Sequence, residues 1–408
     1  MPLTGRRLSL DNPVHECDPA SETYVEAAEL RRYGQVVPVV LFGGVRTWIT
    51  TSAEASRAIL EANPDIGKDP ANWAALQRGE IPGSWPFLTL ITEKSMFNAD
   101  GADHLRLRRL VSHAFTHKRI TAVVPRLTAI ADELLDGLSG DGPVDLKTAY
   151  AYPLPMRTIC EFFGITDPDE QDELRDEYAT MFDAVATPEE RSRAATALEA
   201  TLVRHIEDKR RHPDDRLTST LIDIHELDGD RLTEEELLGT LHIILAAGHE
   251  TTVNAIMNTV VALLTHPDQL ALLRDGRRPW SSTVDAGLRW NVPLKCVYMR
   301  YALRDTDICG TVVPAGEPIA TMIAGAQRNS DTADARFDVT SDDRGHIGFG
   351  AGSHFCLGAP LARQEITIGL ERLFTRYPNL RLAVEPEELT HIVSPAINGL
   401  TALPLHLA

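Results

Sequence analysis

Apolar residues recur every three or four positions through most of the chain beyond residue 50. This spacing places them on one face of a helix, so helices are predicted for most of the chain. The predicted helices cover 52–60, 104–116, 119–138, 169–183, 188–211, 217–226, 233–265 and 357–377. Residues 38–50 predict a β-hairpin that turns at Gly43 and Gly44. Short strands and turns are expected in 310–323 and 380–405, so the predicted fold class is mainly α with minor β.

The chain of 408 residues contains no proline-, glycine- or serine-rich linker and no internal repeat. Its 43% hydrophobic and 24% charged residues are typical of a globular protein, and a single domain over residues 1–408 is predicted. The N-terminus has no apolar stretch long enough for a signal peptide or membrane anchor, which predicts a cytoplasmic protein without a membrane partner. The formal net charge of −19 argues against nucleic acid as a partner.

Four of the five cysteines, Cys17, Cys160, Cys296 and Cys309, are far apart in the sequence. No two of them have the paired spacing that is typical of zinc sites, and their positions do not suggest a disulfide framework. They are therefore predicted to be small buried or half-buried residues.

The predicted helix 233–265 is apolar on nearly every face, so it is expected to pass through the protein interior. Thr233 and Glu236 have the spacing of a capping box at its start. Within the apolar run stands a polar insert, Ala247-Gly-His-Glu-Thr-Thr252. A buried carboxylate is costly unless it is paired or hydrated, and a glycine within a helix costs about 1 kcal/mol relative to alanine. Because the buried carboxylate and the glycine both destabilise the same part of the helix, their presence together predicts a functional groove there.

Cys356 lies in a glycine-punctuated run, Phe349-Gly-Ala-Gly-Ser-His-Phe-Cys-Leu-Gly358, at the start of the predicted helix 357–377. Backbone N–H groups and the positive end of the helix dipole would stabilise its thiolate. Gly350, Gly352 and Gly358 are expected to adopt positive φ and to let the backbone approach a flat cofactor. A lone thiolate placed in this way indicates an axial ligand of haem iron. The alternative is a structural cysteine buried in a glycine-rich turn.

The pattern Phe349-x-x-Gly352-x-His354-x-Cys356-x-Gly358, continued by Ala-Pro-Leu-Ala-Arg, resembles the haem-ligand signature of soluble bacterial cytochrome P450 enzymes. The resemblance covers nearly the whole chain and implies the cytochrome P450 fold, a single large α-rich domain with small β-sheets. It also implies haem b (iron protoporphyrin IX) as the cofactor and Cys356 as the metal ligand. Phe349, Gly350 and Gly358 are then expected to bind the cofactor beside this ligand.

The polar insert in the central helix is similar to the Ala-Gly-x-Glu/Asp-Thr-Thr motif of the same family. By this match, Ala247 and Gly248 make room for the cofactor. Thr251 supplies a hydrogen bond for oxygen activation, and Glu250 relays protons. The resemblance therefore makes Glu250 and Thr251 the predicted catalytic residues.

A haem has two propionates, and buried carboxylates require cationic partners. His104 and Arg108 lie four residues apart on one helical face and resemble the His-x-x-x-Arg propionate clamp of the family. Arg300 matches the arginine that precedes the family's Asp…Gly…Pro-Ala-Gly turn, and His354 stands two residues before the cysteine. These four residues are the predicted propionate partners.

Basic residues cluster between residues 106 and 119 of this acidic chain. This cluster is a predicted docking place for an acidic electron-transfer protein. The sequence contains no flavin domain and no iron–sulfur cysteine cluster. The resemblance therefore implies a separate ferredoxin and ferredoxin reductase as electron donors, with O2 and a small molecule as substrates.

Two positions depart from the family pattern. The Glu-x-x-Arg motif of the family matches Arg289, but its glutamate position holds Ala286, and Ser341 stands where a second arginine is common. Loss of both partners is physically coherent, because loss of the carboxylate alone would leave two cations unpaired. Asp285 is not expected to substitute directly, since one residue along a helix turns a side chain by about 100°. Arg344 is a further candidate partner in this region.

Substrate contacts in this family come from the loop before the propionate clamp, the central helix, a loop after residue 293 and a C-terminal turn. The predicted contacts on these segments are Trp73, Trp85, Phe87, Met96, Phe97, Ile244, Ala247, Pro293, Leu294, Val297 and Ile397. Candidate polar anchors for the substrate are Glu93, Asn98, His249 and Asn398.

The predicted function is that of a haem-thiolate monooxygenase, which oxidises a small organic molecule of the secondary-metabolite type with O2 and two electrons from a ferredoxin. One alternative is oxidative C–C or C–N coupling, for example of an aromatic or cyclic dipeptide. Another is a catalytically degenerate, haem-binding partner protein. The presence of Glu250 and Thr251 argues against the last alternative, because a purely structural protein has no use for a buried polar pair.

Overall fold

Helices carry most of the chain in the computed structural model, which describes residues 8–61, 63–139, 142–182, 186–224, 231–327, 336–343 and 345–407. In chain order they are α1 (Thr23–Arg31), α2 (Ala53–Leu60), α3 (Ala74–Gln77), α4 (Leu88–Thr92), α5 (Gly101–Ser112), α6 (His117–Asp136), α7 (Pro153–Phe163), α8 (Pro168–Phe182), α9 (Pro188–Arg211), α10 (Leu217–Asp223), α11 (Glu234–Gly248), α12 (Glu250–Thr265), α13 (Pro267–Arg274), α14 (Ser282–Trp290), α15 (Ile323–Gln327) and α16 (Ala359–Arg376). The predicted helix ends at 183 and 226 lie outside the described residues. In the ranges given above, no helix has both the length and the apolar character needed to cross a membrane.

Short strands form small sheets beside the helices. They are β1 (His15–Glu16), β2 (Val36–Leu41), β3 (Val45–Thr50), β4 (Ile66–Gly67), β5 (Val144–Asp145), β6 (Cys296–Ala302), β7 (Thr306–Ile308), β8 (Thr311–Val313), β9 (Pro318–Met322), β10 (Arg381–Leu382) and β11 (Pro404–His406). The largest sheet has the order β1-β2-β3-β9-β6-β4, and the smaller ones have the orders β10-β11-β5 and β7-β8. The predicted hairpin is confirmed, because β2 and β3 pair antiparallel around Gly43 and Gly44, whose φ angles are +83° and +79°.

The segment 233–265, predicted as one helix, is two helices that meet at His249. At this break, Thr251 Oγ1 donates a hydrogen bond to the Ala247 carbonyl at 2.7 Å. A side-chain hydroxyl thus bonds a carbonyl in the last turn of α11, which is a known way for threonine to disturb a helix. The prediction of a continuous helix is therefore wrong at the polar insert, and the break and the insert form one local structure.

The helix break is held between two apolar cores. One core lies where α6, α12 and α16 meet and contains the fully buried Leu127, Ile256 and Leu370. The other contains residues of α5 to α11, among them the fully buried Leu241 and Leu245. Because α11 packs into one core and α12 into the other, the position of the polar insert is fixed from both sides.

Candidate active site

A cavity of about 270 Å³ lies between the α11–α12 junction, the first turns of α16 and the loop that carries Cys356. Its walls are mostly apolar. The predicted site residues that line it are Met96, Phe97, Arg108, Ile244, Ala247, Gly248, Thr251, Pro293, Leu294, Val297, Arg300, Phe349, Gly350, His354, Cys356 and Gly358. The fold thus brings together predicted residues from widely separated parts of the sequence.

Cys356 presents its side chain to this cavity, so the sulfur is exposed to the cavity while protein surrounds both. Its backbone N–H donates to the Phe349 carbonyl at 2.9 Å and closes the loop. Burial raises the pKa of the thiol, whereas the backbone N–H groups of Gly358 and Ala359 and the Arg108 guanidinium favour the thiolate. Because α16 begins at Ala359, the sulfur lies at a helix N-terminus, as the sequence predicted.

Two of the three glycines in this loop have the predicted backbone. Gly350 and Gly352 have φ angles of +74° and +70°, and a Cβ atom on Gly352 would collide with the backbone of Leu60. The prediction is wrong for Gly358, whose φ of −78° is ordinary for a right-handed helix. A Cβ atom there would lie 3.9 Å from the Cys356 sulfur. This is an ordinary contact distance, so neither φ nor the described protein atoms require glycine at this position.

Two of the predicted cations, Arg300 and Arg108, line the cavity. Arg300 is only 7% exposed, and burial lowers the pKa of its guanidinium to about 10. Arg108 donates a hydrogen bond to the Phe355 carbonyl at 2.7 Å. Within the described ranges, neither guanidinium forms an ion pair with a carboxylate. Both cations are thus placed to receive an anionic group in the cavity.

The two predicted histidines lie against each other. The ring of His354 lines the cavity, and its centroid is 4.1 Å from that of His104. Burial lowers the pKa of both histidines, for His354 to about 2, which favours the neutral form of each ring. His104 Nε2 is buried and has no hydrogen-bond partner among the residues that the structure describes. Since an unsatisfied buried polar atom costs about 1–3 kcal/mol, this nitrogen fits a partner on a bound group.

Lys68 adds a third cation that the sequence analysis missed. Its ammonium donates to the carbonyls of Tyr298 and Met299 at 3.1 Å each and lies 3.8 Å from the centroid of the Phe97 ring. Burial lowers its pKa well below the usual range, and the nearby Arg300 acts in the same direction. A lysine directly after a two-residue strand has no local sequence signal for burial. Only the pairing of β4 with β6 brings it next to Arg300.

The two predicted catalytic residues are neighbours in the first turn of α12 but have different surroundings. Thr251 lines the cavity, whereas Glu250 does not. A Glu250 carboxylate oxygen accepts a hydrogen bond from Asn254 Nδ2 at 3.2 Å, and another lies 3.8 Å from His249 Nδ1. Burial raises the pKa of Glu250, and the Lys147 ammonium opposes this shift. Glu250 is therefore a partly buried acid next to Thr251 that does not itself line the cavity.

Glu365 is a second buried acid, and no sequence motif identified it. It lies on α16, lines the cavity and is 2% exposed. Burial raises its pKa well above the usual range, although a hydrogen bond with Thr158 opposes the shift. Its Oε1 has no hydrogen-bond partner in the described part of the chain. Burial of the carboxyl group therefore favours its neutral form.

Most of the predicted substrate contacts reach the cavity, but Trp73, Trp85, Phe87 and Ile397 do not. Trp85 and Phe87 are buried in an aromatic cluster, in which the Phe87 and Tyr298 ring centroids are 4.8 Å apart. Trp73 stacks on Tyr301 in the same core at 5.9 Å. Ile397 pairs with Leu294 in an isolated β-bridge. The structure places these four residues outside the cavity lining, in packing against the largest sheet or in this bridge, and their contact with a substrate stays a prediction.

The four predicted polar anchors are also engaged within the protein. Glu93 contacts His242, and Asn98 Nδ2 donates to the Leu90 carbonyl at 2.7 Å. Asn398 Nδ2 donates to the Val292 carbonyl at 2.8 Å. His249 is fully buried between the rings of Tyr152 and Tyr178, with Nε2 3.0 Å from the Tyr152 carbonyl oxygen. None of the four lines the cavity, so their role as substrate anchors stays a prediction without support from this arrangement.

In place of the missing Glu-x-x-Arg pair, Asp285 forms a different network. Asp285 Oδ1 lies 2.6 Å from Arg363 and 2.9 Å from His346 Nε2. Its pKa is well below the usual range, because these two hydrogen bonds outweigh the effect of burial. The Arg363 guanidinium also lies 5.0 Å from the centroid of the Phe349 ring, and the Phe349 carbonyl accepts the Cys356 N–H. The network thus links α14 to the cysteine loop.

Arg289 and Ser341 form hydrogen bonds that do not involve Asp285. Arg289 donates to the carbonyls of Asp343 and Asp338, the latter at 3.0 Å. Ser341 Oγ accepts the Asp343 N–H at 3.2 Å. Arg344, the other predicted candidate, lies outside the described residues. The sequence analysis predicted that Asp285 would not replace the missing glutamate as the partner of Arg289. The structure agrees, because the Asp285 carboxylate binds Arg363 and His346 instead.

The sequence profile of the cytochrome P450 family matches residues 165–275 and 283–391. The cytochrome P450 monooxygenase PikC of Streptomyces venezuelae is 38% identical over 396 residues, which cover 95% of this chain and 92% of that protein. The vitamin D(3) 25-hydroxylase of Pseudonocardia autotrophica is 38% identical, with 93% of this chain and 92% of that protein covered. The structure of CYP154C4 from Streptomyces sp. W2061 superposes with a TM-score of 0.92 at 36% identity and covers 99% of both chains.

The chain therefore belongs to the cytochrome P450 family, and it is a monooxygenase of that family. The predicted cytochrome P450 fold is confirmed. Proteins of this family bind haem b and use small-molecule substrates, O2 and redox partners. The cavity residues fit this cofactor, because they combine a thiol, cations without carboxylate partners, an unsatisfied histidine nitrogen and apolar walls. The similarities do not favour oxidative coupling or a non-catalytic role.

Proposed function

We propose that this chain is a ferredoxin-dependent monooxygenase for an uncharged, largely apolar organic molecule of the secondary-metabolite type. The distribution of charge around the cavity carries the proposal. Its charged lining side chains, Lys68, Arg108 and Arg300, act electrostatically on one another or on His354 and thus form one group near the cysteine loop. Burial raises the pKa of Glu365, which favours its neutral form. A substrate therefore meets mainly apolar surface in the rest of the cavity, which favours an uncharged molecule.

Cys356 is the proposed iron ligand of haem b, and Lys68, Arg108, Arg300 and His354 are the proposed holders of its propionates. Cationic side chains in a low-dielectric site bind carboxylates by charge-assisted hydrogen bonds. When bound, the haem supplies the O2 chemistry that oxidises the substrate, with electron donation from a thiolate ligand. The contribution of the chain is to place this thiolate, to bind the substrate and to supply protons.

The apolar side chains around the cavity bind and orient the substrate and exclude water. Met96, Ile244 and Leu294 are the proposed contacts from three separate segments. The Thr251 hydroxyl is the proposed hydrogen-bond donor toward the reacting oxygen, and it releases the Ala247 carbonyl to make this bond. Glu250 holds a proton at a higher pH than an exposed glutamate, because burial raises its pKa. We assign it the supply of protons to the adjacent Thr251.

Replacement of Thr251 by alanine is expected to uncouple electron consumption from product formation. Binding of haem and substrate should persist, because no contact in the described chain makes Thr251 part of the cation group. Product formed per NADPH should fall at least tenfold, since a positioned proton-transfer group typically contributes about 10²–10⁴-fold. The measurement is the ratio of product and peroxide to NADPH in a reconstituted system.

Thr259→Ala is the matched control for this change. Thr259 Oγ1 donates to the Ala255 carbonyl at 2.7 Å, the same bond to the fourth preceding residue that Thr251 makes. It lies on α12 but does not line the cavity. An equal loss of coupling in both variants would assign the effect to helix structure and contradict the role of Thr251.

Replacement of Lys68 by methionine is expected to weaken haem retention without loss of the fold. Methionine keeps the apolar packing against Phe97 but removes the buried charge. Loss of one charge-assisted hydrogen bond to a propionate corresponds to about 1.5–3 kcal/mol, so haem transfer to apomyoglobin should be roughly tenfold faster or more. The control is Lys295→Met, since Lys295 is a buried lysine that does not line this cavity. A faster transfer in the control alone would contradict the assignment.

The exposed surface of α5 and α6 is the proposed ferredoxin-docking face. Arg109, His113, His117 and Lys118 are exposed there, and Leu105 is 66% exposed beside them. Arg106 of the predicted basic cluster instead pairs with Glu236. A basic rim around an apolar residue complements an acidic iron–sulfur protein.

Lys118→Glu is expected to raise the KM for an acidic ferredoxin by roughly threefold, because reversal of a rim charge slows association. The effect should diminish at high salt, where exposed charges are screened. Reduction kinetics by stopped flow at low and high ionic strength provide the measurement. Arg381→Glu, an exposed reversal on β10, serves as the control and should leave this KM unchanged.

A substrate comparison tests the proposed class directly. Two probes are compared. One is vitamin D(3), the molecule that appears in the name of one relative, and the other is an analogue with a carboxylate in place of a hydroxyl group. The uncharged molecule should bind and change the optical spectrum of the haem, whereas the carboxylate should bind at least tenfold more weakly because burial of a charge is costly. Stronger binding of the carboxylate would contradict the proposed class. Binding without NADPH-dependent oxidation of any uncharged probe would favour the non-catalytic alternative.

A further inference from the structure

Three side chains of metal-binding types meet beside the first strand. His15 and Cys17 are two residues apart on an extended segment, so they point to the same side. Glu26 lies in the first turn of α1. One possible ligand atom from each residue lies within 4.8 Å of the others. None of these three residues lines the cavity that contains Cys356, so the cluster is separate from the candidate active site.

The cluster is held in place by the fold rather than displayed on a loop surface. Glu26 is 8% exposed, and its Oε1 accepts the Asp18 backbone N–H at 3.1 Å. The same oxygen lies 3.1 Å from His15 Nε2. Two ligand atoms at about 2.0–2.2 Å from a tetrahedral zinc ion are roughly 3.3–3.6 Å apart. The His15–Glu26 separation is thus close to the value that a shared zinc ion requires.

A small second cavity adjoins the cluster. It has a volume of about 20 Å³, and Cys17 and Glu26 are among its lining residues. A cavity of at least about 10–15 Å³ accommodates one water molecule. Lys295 also lines it, but its ammonium donates to the carbonyls of Pro19 and Ser21 at 3.1 and 3.2 Å. The cavity therefore has room for a water molecule as a fourth ligand next to Cys17 and Glu26.

We propose that His15, Cys17 and Glu26 form a zinc site in which water is the fourth ligand. The set combines an imidazole nitrogen, a thiolate sulfur and a carboxylate oxygen, which together suit Zn2+. Mg2+ and Ca2+ prefer all-oxygen sites, so the nitrogen and sulfur ligands select against them. On binding, the Cys17 thiol releases its proton to solvent and the sulfur bonds to the metal. The ion joins the β1 segment to α1 and stabilises this edge of the largest sheet.

The cysteine spacing in the sequence gave no sign of this site. Known zinc patterns are recognised by pairs of cysteine or histidine residues at short intervals, and here the third ligand is a glutamate from the following helix. Its approach depends on how α1 packs beside β1. The site is therefore visible only in the folded chain.

Zinc content of the untagged haem-loaded protein tests the proposal. The wild type and Cys17→Ser, kept reduced and stripped with a chelator, are dialysed against micromolar Zn2+, and zinc and iron are counted by mass spectrometry. We expect the wild type to hold one more zinc ion per iron than Cys17→Ser. Cys309→Ser, which changes another half-buried cysteine outside the cluster, should match the wild type. Equal zinc content in the wild type and Cys17→Ser, including none in either, would overturn the proposal.

A second variant and a second measurement keep the test valid if Cys17→Ser folds poorly. His15→Ala removes a partly exposed ligand, and its haem spectrum shows whether the protein is folded. Zinc should raise the melting temperature of the wild type and of Cys309→Ser, because a ligand that binds only the folded state stabilises it. It should not raise that of His15→Ala. An equal rise in the wild type and in His15→Ala would place the zinc elsewhere and overturn the proposed site.

Discussion

Replacement of Cys356 by serine is expected to abolish substrate oxidation almost completely. Electron donation from a thiolate favours O–O cleavage in this family, and a serine hydroxyl at the same position does not supply it. Product formation should fall by about three orders of magnitude, which corresponds to roughly 4 kcal/mol of transition-state stabilisation. The variant should still bind haem, because Lys68, Arg108 and Arg300 remain to hold the propionates.

Product formation per bound haem is the measurement that checks this expectation. Haem content is determined for each variant, so that loss of cofactor is separated from loss of turnover. Cys309→Ser is the control, because Cys309 is half-buried and does not line the cavity. Retention of more than about a tenth of wild-type turnover in Cys356→Ser, a difference of less than 1.4 kcal/mol, would contradict the assignment of Cys356.

Replacement of Asp285 by asparagine is expected to destabilise the protein strongly and to loosen the cysteine loop. Removal of one partner from a buried ion pair costs about 3–5 kcal/mol, since it leaves uncompensated charge. Because Arg363 is partly exposed, we expect a decrease of about 3 kcal/mol in the free energy of unfolding. Denaturant unfolding of the haem-loaded proteins measures this decrease. The rate of haem loss should rise as well, because Arg363 packs on Phe349.

Asp132→Asn is the matched control for this prediction. Asp132 and Arg372 form a similar pair at 2.6 Å, but both side chains are more than a third exposed. Exposed pairs contribute about 0–1 kcal/mol, so this variant should remain close to the wild type in stability. Equal destabilisation by both changes, or faster haem loss in the control alone, would contradict a special role of Asp285.

The contribution of Asp285 to the stability of the folded protein should decrease at low pH. Its pKa is lowered in the folded protein, so its stabilising effect is fully present above the ordinary aspartate pKa of about 3.9. The effect is lost as the pH falls through the lower pKa of the folded state. The difference in stability between the wild type and Asp285→Asn should therefore shrink below about pH 4.

The cysteine loop was predictable because its determinants are local. The sulfur, the helix that begins after it and the positive φ of Gly350 and Gly352 depend on about ten consecutive residues. The error at Gly358 arose in the same short segment, where the glycine pattern was interpreted as positive φ although the backbone of Gly358 is that of a right-handed helix. Fold class and helices were also predictable, since apolar periodicity records which face of each helix is buried.

The rest of the site depends on contacts between distant segments. Met96 and Phe97 line the cavity while Trp85 and Phe87, in the same apolar loop, pack against Tyr298. Composition did not distinguish the two pairs, because an aromatic residue suits a protein core as well as a substrate pocket. Burial of Lys68 likewise depends on a strand more than two hundred residues further along the chain.

The region of the incomplete Glu-x-x-Arg motif also depends on contacts between distant segments that the sequence does not reveal. The sequence revealed that Ala286 leaves the motif without its carboxylate, and geometry correctly indicated that Asp285 would not pair with Arg289. The sequence did not reveal that Arg363 and His346 both bind the Asp285 carboxylate. Partners 61 and 78 residues apart are specified by packing, which no local pattern records.

The absorption spectrum of the reduced carbon monoxide adduct tests the central claim most directly. If Cys356 ligates the haem iron as a thiolate, the wild type should absorb at about 450 nm, the spectral mark of this family. Cys356→Ser, measured at equal haem content, should lack this band. A band of normal position and intensity in Cys356→Ser, or its absence from the haem-loaded wild type, would contradict the account.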